Sequence, residues 1–477
     1  MLEEKRGIWK RYAVGALLII AAAATATSVA AFNVVNEVVT VLRHGHPITG
    51  LDKVLAQADS GAPQTILLIG SDQRAKGSVD AKVNGTNGRS DTMMLVRLDP
   101  HKRATAMMSF PRDLKVQIPG HGTDKLNAAY TVGGPKLTVK TIKQLTGLTI
   151  NHVINVDFRG FRAAVDKVGC IWVDVDRHYV NLGGAYAKIN ILPGYQKMCG
   201  GPALAYVRYR HEDNDIVRAA RQQGFLRQAK DQLGVGRIYN NRKGLLKIFG
   251  QYTSSDIRDR SSVLRILKLV IQSAGHPFVQ IPFKAELGPS YVTASQNDID
   301  ETVQQFLGVK GPKTTPKPAQ TRKHGRKHHA KTSNGLIGAS SEGKQVALQL
   351  VSNGARGIPI YYPRLREPSD VIQGPPRAYK VAVSGHLYHA YRIVVKMNGI
   401  GDYWGVQGIG WPNPPMLREA NTIKKLGHRK FYIYTDGERV RLVAWKAKGA
   451  VYWVSNSLEQ TLSRSQMLAI ARSTKPL

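Results

Sequence analysis

A run of twenty residues without a charged side chain lies near the amino terminus, from residue 13 to residue 32. Its length is about that of a helix that crosses a lipid bilayer. Lysines and arginines precede the run, so the preference of positive charge for the cytoplasmic side places the rest of the chain outside the cytoplasm. Small residues at the end of the run also fit a cleaved signal peptide. We favour a retained single-pass anchor in the cell membrane, with residues 1–12 as a cytoplasmic tail.

The 477-residue chain is strongly basic, with 68 Lys and Arg against 33 Asp and Glu and a formal net charge of +35. Such a charge favours polyanionic partners, namely nucleic acid, anionic lipid or phosphate-rich polymers. Export of the basic domains separates them from nucleic acid. The membrane and the polymers of the cell wall therefore remain as partners.

Short apolar segments alternate with helical patterns over residues 63–308, which predicts a layered α/β domain. The stretch 33–62 before it is predicted to be a polar, helical stalk. The segments that are typical of buried strands lie at 65–70, 92–98, 104–110 and 150–157.

The composition changes twice after residue 308. Residues 309–339 are basic and of low complexity, and this composition predicts a linker that cannot bury a core. From 340 to 477, alternating apolar and polar residues, aromatic side chains and Asp-Gly turns predict an antiparallel, β-rich α+β domain with a helix near its end. The sequence does not indicate what this second domain does.

Cys170 and Cys199 are the two cysteines of the chain. Because exported proteins fold in an oxidising compartment, we expect them to form a structural disulfide. In the chain-entropy model, closing a loop of this length stabilises the fold by roughly 3–4 kcal/mol. Two cysteines without a nearby histidine pattern do not favour a zinc site.

Charged residues stand at the ends of three predicted strands. Asp72 follows the first strand, and Arg112 follows the third. Arg89 and Asp91 lie at the start of the second. Sites in layered α/β domains are built at strand ends. Arginine at such places indicates recognition of phosphate or carboxylate, because the planar guanidinium donates two parallel hydrogen bonds.

The stretch AYVRYRHEDNDIVRAARQQ, residues 205–223, concentrates further charge. We interpret its beginning as the end of a strand, which would place Arg208 and Arg210 on one face. The helix that follows brings Arg218 and Gln222 onto one face, since they are four residues apart. Strand and helix together would direct three arginines toward one point, as an anion-binding site requires.

Other charged residues of the same stretch have a purely structural interpretation. Asp213, Asn214 or Asp215 is predicted to cap the helix. For Arg221 and Arg227 we favour Asp–Arg pairs on a solvated helix face.

These motifs resemble those of the LytR–CpsA–Psr proteins of Gram-positive and actinobacterial envelopes, a resemblance that covers residues 63–235 and the amino-terminal anchor. The domain after residue 340 does not match the commonest carboxyl-terminal module of actinobacterial members well. The resemblance implies a three-layer α–β–α fold with a central mixed sheet. The segments that carry it, in order, are GSDQR, RSDTMMLVRLDP, SFPRDLKVQIPG, DKLNAAY, VDFRGFRAAVDKVG and ALAYVRYRHEDNDIVRAARQQ.

The resemblance also implies an activity, the transfer of a glycopolymer phosphate from a polyprenyl-pyrophosphate carrier to a hydroxyl of peptidoglycan. The implied partners are the carrier-linked glycopolymer, peptidoglycan and the membrane, and nucleic acid is not among them. Asp72 and Asp91 are implied to bind Mg²⁺, with Mn²⁺ as the alternative. The residues implied to take part in catalysis are Asp72, Asp91, Arg89 and Arg112. The residues implied to hold the pyrophosphate are Arg89, Arg112, Arg208, Arg210, Arg218 and Gln222.

Three other functions stay open at this point. A non-catalytic protein that binds the wall or another polyanion would use the same basic surface. A regulator that attenuates transcription would need its basic domain on the cytoplasmic side. A hydrolase of polyprenyl pyrophosphate differs from the transferase only in using water as the acceptor. The general base is also open between Asp72 and Asp91, because a carboxylate that holds a metal makes a poor base.

Overall fold

The computed structural model describes residues 36–41, 46–59, 61–72, 88–102, 104–183, 188–273, 276–308 and 334–477. The predicted cytoplasmic tail and anchor lie outside these ranges, as does most of the predicted linker at 309–339. Within the described ranges, no helix combines the length and the hydropathy that spanning a bilayer requires.

The amino-terminal half of the chain is built on a seven-stranded sheet with several two-stranded additions. Its strands in chain order are β1 His46–Pro47, β2 Gln64–Ser71, β3 Ser90–Leu98, β4 Thr105–Phe110, β5 Lys115–Ile118, β6 Gly122–Lys125, β7 His152–Asp157, β8 Ile171–Val175, β9 Tyr179–Asn181, β10 Ile189–Ile191, β11 Gly194–Met198, β12 Thr253–Ser255, β13 Phe278–Ile281, β14 Glu286–Leu287 and β15 Val292–Thr293. Its helices are α1 Leu126–Thr146, α2 Phe158–Lys167, α3 Gly200–Arg208, α4 Asp215–Gln232, α5 Val235–Asn240, α6 Arg242–Tyr252, α7 Arg260–Ser273 and α8 Gln296–Gly308.

The large sheet is mixed, with the spatial order β1-β12-β7-β2-β3-β4-β13. Strand β2 runs parallel to β7 and antiparallel to β3, and β4 runs parallel to β13. Strands β2, β3, β4 and β7 coincide with the four predicted apolar runs. Both the strand predictions and the central mixed sheet are therefore confirmed.

Helices cover both faces of this sheet. Leu67 and Ile69 of β2 lie in one core with side chains of α1 and α8. Ile66, which points the other way, packs with Leu98 and with Leu269 of α7. Because alternate residues of β2 serve two different cores, the arrangement is the three-layer α–β–α fold that the sequence resemblance implies.

Part of the segment predicted as a stalk is packed into this domain. Leu51 and Val54 are buried in the core that contains β2. The side-chain amide of Asn151 donates a hydrogen bond to the carbonyl oxygen of Ala56 at 3.0 Å. Strand β1 also pairs with β12 at the edge of the sheet. The prediction of a polar, helical stalk over 33–62 is therefore wrong for the part from β1 to Ala56, which contains a strand and buried residues.

The segment that ends at Arg208 forms helix α3, not the strand predicted for it. Ala203, Tyr206 and Val207 are buried, and their spacing of three and four residues is typical of a helix. The Tyr–Arg alternation that suggests a strand covers only the last residues, whereas the Ala-Leu-Ala before it favours a helix. Arg208 therefore ends a helix and Arg210 follows it in a loop.

The disulfide prediction is confirmed. Cys170 and Cys199 are bonded, with their Cα atoms 4.4 Å apart. The bond joins the loop after α2 to the residue that precedes α3. It therefore holds the start of α3 against α2, and Arg208 lies at the other end of that helix.

The carboxyl-terminal half forms a second seven-stranded sheet whose neighbouring strands are all antiparallel. The order of its strands in space is β19 (Val371–Val383), β20 (His386–Lys396), β21 (Tyr403–Ile409), β25 (Ala450–Ser455), β24 (Arg439–Ala447), β23 (Arg429–Asp436) and β22 (Thr422–Leu426). Trp404, Trp445 and Trp453 are fully buried in and around it. The predicted antiparallel domain and its terminal helix are confirmed. The elements of this half are β16 Ile337–Gly338, α9 Ser340–Ser352, β17 Tyr361–Tyr362, β18 Leu365–Arg366, β19 Val371–Val383, β20 His386–Lys396, β21 Tyr403–Ile409, a 3₁₀ turn Pro415–Leu417, β22 Thr422–Leu426, β23 Arg429–Asp436, β24 Arg439–Ala447, β25 Ala450–Ser455, α10 Arg464–Ser473 and β26 Lys475–Pro476.

Aromatic side chains join the two halves. The ring of Trp172 lies 5.1 Å from that of Trp411, measured between centroids, and the ring of Tyr195 lies 5.7 Å from that of Trp453. A buried ion pair between Asp174 and Arg392 accompanies them, with 3.3 Å between Oδ1 and Nη1. The two halves therefore share one apolar cluster.

Candidate functional site

The end of β2 and the start of β3 lie side by side and hold two of the predicted site residues. Ser71 is opposite Ser90 in the sheet register, so Asp72 follows β2 beside Arg89. The backbone N–H of Asp72 donates to the carbonyl oxygen of Arg89 at 3.1 Å, and the N–H of Arg89 donates to Oδ1 of Asp72. This double contact fixes both backbones, while the Arg89 side chain is exposed.

Asp91, at the second position of β3, brings two of the predicted arginines together. Its Oδ1 accepts a hydrogen bond from Nη1 of Arg112 at 2.7 Å. Its Oδ2 accepts from Nε and Nη2 of Arg208, each at 3.1 Å. The Arg208 guanidinium also lies over the ring of Phe158, 4.1 Å from its centroid. Residues from β3, the loop after β4 and the end of α3 thus meet, as the sequence predicts.

Asp113 connects this group to the rest of the site. It forms ion pairs with three cations, each at 3.6 Å, and these are Arg112, Lys125 and Arg210. Its backbone N–H donates to Oδ2 of Asp215 at 3.1 Å. Because Asp215 is the first residue of α4, this bond ties the start of α4 to the loop after β4.

Arg218 has the least exposed guanidinium of the site, with 3% of its side chain accessible. It lies in the first turn of α4, which Asn214 caps as predicted by accepting from the N–H of Val217 at 2.8 Å. Nη2 of Arg218 pairs with Oδ1 of Asp215 at 2.9 Å. Nη1 is buried and has no hydrogen-bond partner among the described residues. Burial lowers the pKa of Arg218, Asp215 opposes this change, and the nearby Arg112 adds to it.

The buried Nη1 of Arg218, which has no acceptor among the described residues, indicates what kind of ligand the site favours. A buried guanidinium N–H without an acceptor costs about 1–3 kcal/mol, and more when the group is charged. Arg112 and Arg208 surround Asp91 with more positive charge than one carboxylate neutralises. An anion with several oxygen atoms would satisfy both deficits at once.

Gln222 lies one turn after Arg218, as predicted, but its amide has a structural partner. Nε2 donates to the carbonyl oxygen of Val207 at 3.1 Å. Val207 precedes Arg208 at the end of α3. The role of Gln222 in the described structure is therefore to hold the end of the helix from which Arg208 extends.

Arg221 and Arg227 form buried ion pairs, which corrects the prediction of a solvated helix face. The side chains of Arg221 and its partner Asp213 are both 0% exposed. Nη1 of Arg227 lies 2.6 Å from Oδ2 of Asp436, whose side chain is 1% exposed. These positions face the interior because α4 lies between the first sheet and the carboxyl-terminal half.

Two residues near the site, Asp113 and Tyr130, were outside the prediction. Tyr130 is buried in α1, and Nδ2 of Asn155 donates to its hydroxyl at 3.0 Å. Burial raises the pKa of Tyr130, hydrogen bonds with Ser71 and Asn155 lower it, and Asp72 raises it. Its hydroxyl therefore stays protonated beside the end of β2. Both residues lie within the conspicuous segments SFPRDLKVQIPG and DKLNAAY, and this was the available signal.

The carboxylates predicted to bind Mg²⁺, Asp72 and Asp91, fit the chemistry of that ion. Mg²⁺ commonly uses one or two carboxylates and completes its shell with water and phosphate oxygens. Each Asp91 oxygen accepts from one arginine and keeps lone-pair capacity for a metal. Within the described residues, one group of three potential metal ligands has its ligand atoms within 4.8 Å of one another, namely Asp166, Cys170 and Cys199. The disulfide occupies both of those sulfur atoms.

Comparison with known proteins gives a consistent set of relatives. The model of the LytR_cpsA_psr family matches residues 28–306. The polyisoprenyl-teichoic acid–peptidoglycan teichoic acid transferase TagU of Bacillus mycoides is 34% identical over 200 residues, which are 40% of this chain and 61% of TagU. The probable cell wall biosynthesis protein LcpB of Corynebacterium glutamicum is 38% identical over 168 residues, 33% of this chain and 39% of LcpB.

Among solved structures, that of B. subtilis TagV is 27% identical, covers 52% of this chain and 98% of that chain, and has a TM-score of 0.43. The chain thus spans about three fifths of the length of TagU and less of LcpB.

Proposed function

Since the chain belongs to the LytR_cpsA_psr family, we propose that it is a phosphotransferase that moves a glycopolymer phosphate from a polyprenyl-pyrophosphate carrier to a hydroxyl of peptidoglycan. Anchoring in the cell membrane, with both sheets outside the cytoplasm, is part of the proposal. The name of the relative TagU, which speaks of a polyisoprenyl-linked teichoic acid and of peptidoglycan, supports this substrate class.

The observation that carries the proposal is the buried guanidinium of Arg218 with its unpartnered Nη1. A pyrophosphate oxygen would supply the acceptor that this nitrogen lacks, and its charge would offset the lowered pKa of Arg218. Arg112 lies close enough to Arg218 to affect that pKa, so a single anion would contact both.

The other arginines of the site would contact different parts of the carrier pyrophosphate. Arg208 and Arg112, now paired with Asp91, would each turn one N–H toward phosphate while the other stays on the carboxylate. Arg210 and Arg89 are more exposed and would contact the outer oxygens of the pyrophosphate. Phosphoryl transfer needs positioning and charge neutralisation more than a strong nucleophile, and this cluster provides both.

Asp72 and Asp91 would hold Mg²⁺, which when bound neutralises charge on the pyrophosphate oxygens and the departing carrier phosphate. This ion would also balance the negative charge that the carboxylates add beside the arginines.

The test is a turnover assay with the full chain in detergent, a synthetic polyprenyl-pyrophosphate sugar and soluble peptidoglycan fragments. Mass spectrometry would follow carrier phosphate and the glycan–peptidoglycan product, with Mg²⁺ and with a chelator. We expect turnover that needs Mg²⁺ and that Arg112→Ala abolishes. Arg356→Ala, which removes an exposed arginine of the carboxyl-terminal half, is the matched control and should keep full activity.

The products separate the proposal from its rivals. Carrier phosphate with free sugar phosphate, and no product on peptidoglycan, would identify a hydrolase. Binding of the carrier without turnover would identify a non-catalytic polyanion-binding protein. Either result would overturn the transferase assignment.

A further inference from the structure

One carboxylate of the carboxyl-terminal half contacts helix α4, which carries Arg218. Asp436 lies at the end of β23, and its side chain is 1% exposed. Its Oδ2 lies 2.6 Å from Nη1 of Arg227, which is nine residues after Arg218 on α4. The second sheet is thus connected by a buried ion pair to the helix that carries Arg218.

The same carboxylate also binds the first sheet. Oδ1 of Asp436 accepts from the backbone N–H of Gln280 at 2.8 Å, and Oδ2 accepts from the side chain of Gln460 at 2.9 Å. Gln280 lies in β13, which pairs with β4, and Arg112 follows β4 by two residues. Asp436 therefore links α4, which carries Arg218, to β13, the strand that pairs with β4.

A second segment of the carboxyl-terminal half packs on the first turn of α4. A Cβ atom on Gly401 would lie 3.1 Å from Oδ1 of Asp213 and 3.1 Å from the side chain of Val217. The ring of Tyr403 lies under the guanidinium of Arg177, 5.3 Å from its centroid, and Arg177 in turn binds Asp213. The carboxyl-terminal half therefore contacts α4 near its first turn as well as at Arg227.

A buried ion pair of this kind is poor evidence for stability, because removing two charges from water offsets most of their attraction. A better explanation of the pair between Asp436 and Arg227 is that it fixes the geometry of the fold. A carboxylate that accepts hydrogen bonds from three elements holds those elements in one arrangement. Displacing a substrate-positioning group by about 1 Å can lower a reaction rate about a hundredfold. The arrangement of the elements held by Asp436 sets the distance between Arg112 and Arg218.

We infer that Asp436 is a positioning residue, through which the carboxyl-terminal half fixes α4 against β4 and so sets Arg218 relative to Arg112. Asp436 does not touch the carrier in this role. It acts in this way on the proposed transfer reaction, so the wild-type turnover is measured beside every variant.

The experiment compares Asp436→Asn with Asp231→Asn in the full chain. Asparagine at 436 keeps the size and one acceptor for Gln280 but removes the charge that holds Arg227. Asp231 lies on the same helix and pairs with Arg441 of the same second sheet, at 3.5 Å, but its side chain is 32% exposed. The pair of Asp231 and Arg441 therefore also joins α4 to the second sheet, but it does not link β4 to α4. This makes Asp231→Asn a matched control for Asp436→Asn.

We expect Asp436→Asn to lower kcat about 10- to 100-fold with KM for the carrier changed less than about threefold, since the arginines are all present. Asp231→Asn should leave kcat unchanged. Arg227→Gln breaks the same link from the helix side and should reproduce the loss in kcat, so the inference is testable even if Asp436→Asn fails to fold. Thermal unfolding of each variant gives the folded fraction to which kcat is normalised.

The outcomes are distinct. Equal kcat for wild type and folded Asp436→Asn or Arg227→Gln would overturn the inference while the proposed function stands. A parallel loss in Asp231→Asn would show general weakening of the interface and would also overturn it. No turnover in the wild type would overturn the proposed function. Because Asp436 is inferred to act on that reaction, the inference would fall with it.

Discussion

Arg218 and Arg221 lie one turn apart on α4 and are both buried, yet the two regions around them treat their charges in opposite ways. Arg218 belongs to the anion cluster, defined here as Asp91, Arg112, Arg208 and Arg218. Burial lowers the pKa of Arg218, and its Nη1 is without a partner among the described residues. Arg221 belongs to the Asp213 cluster, defined as Arg177, Asp213 and Arg221.

In the Asp213 cluster the charges are compensated within the protein. Asp213 binds Arg221 and also Nη2 of Arg177, the latter at 2.6 Å. Burial lowers the pKa of Arg221, but Tyr179 and Asp213 outweigh burial, so that its pKa is raised overall. The difference teaches that burial alone does not mark a functional arginine. The mark that we propose is burial combined with incomplete compensation, as at Arg218, where Asp215 does not offset burial and the nearby Arg112, because a ligand could then supply negative charge.

The largest expected effect comes from breaking the compensated cluster. Asp213→Ala removes the buried acid that Arg177 and Arg221 share, and we expect the free energy of unfolding to fall by about 3–5 kcal/mol. Urea unfolding followed by tryptophan fluorescence measures this change. A loss below about 1 kcal/mol, the value of an exposed pair, would contradict the view that this cluster is structural.

Next in size is removal of Arg218, whose charge Asp215 compensates only in part. We expect Arg218→Met to lower kcat/KM by on the order of 10²–10³-fold, the usual effect of losing one buried donor to a transferring oxyanion. Its loss of unfolding free energy should be smaller than that of Asp213→Ala, because repulsion by Arg112 is relieved. The reverse order, with stability affected more than kcat/KM, would assign Arg218 to the structural class.

A buried acid gives a third effect, which depends on pH. Burial, together with the nearby Asp402, raises the pKa of Glu459 from 4.5 to about 7, and Arg439 opposes this change. The folded protein therefore retains a proton that the unfolded chain releases, and stability falls as the pH rises from about 4.5 to about 7. The shift corresponds to an upper limit of about 3 kcal/mol, which the partial exposure of the side chain reduces.

Thermal unfolding between pH 4.5 and pH 8 measures this dependence. Glu459→Gln should flatten the profile, and Glu286→Gln, which changes an exposed acid, should leave it as in the wild type. An unchanged profile in Glu459→Gln would show that another group titrates.

The smallest expected effect concerns a neighbour of Asp213. Glu212 also pairs with Arg177, at 2.6 Å, but its side chain is 53% exposed. Glu212→Gln should therefore change the free energy of unfolding by about 0–1 kcal/mol. The same urea titration compares two adjacent acids that share one arginine, and a large effect at Glu212 would make burial irrelevant to the comparison.

The sequence is sufficient to predict most of the first domain and the meeting of its strand-end residues. The strands β2, β3 and β4 are short apolar runs, and such runs place the residues that follow them at the edge of a sheet. Asp91 and Arg112 could thus be expected to meet although the sequence shows no distance between them. The helix α3 was predicted wrongly, because Tyr206 to Arg210 alternate over too few residues to decide between two periods.

Compensation of charge is the property that the sequence does not show. Arg227 lies on the same helix as Arg218. The acid that pairs with it, Asp436, is 209 residues away in the sequence. No local pattern connects two positions that meet only after both sheets have formed. Likewise, the interpretation of Arg221 as exposed followed from the charged stretch around it, whereas the helix is enclosed on both sides.

The ring pair of Trp172 and Trp411 has a practical meaning for anyone handling this protein. The two indoles come from different halves of the chain and are 5.1 Å apart between centroids. Indoles this close couple their electronic transitions, so circular dichroism in the near ultraviolet carries a signal that exists only while the halves touch. Detachment of the second sheet is thereby visible in the unlabelled protein, before any loss of secondary structure.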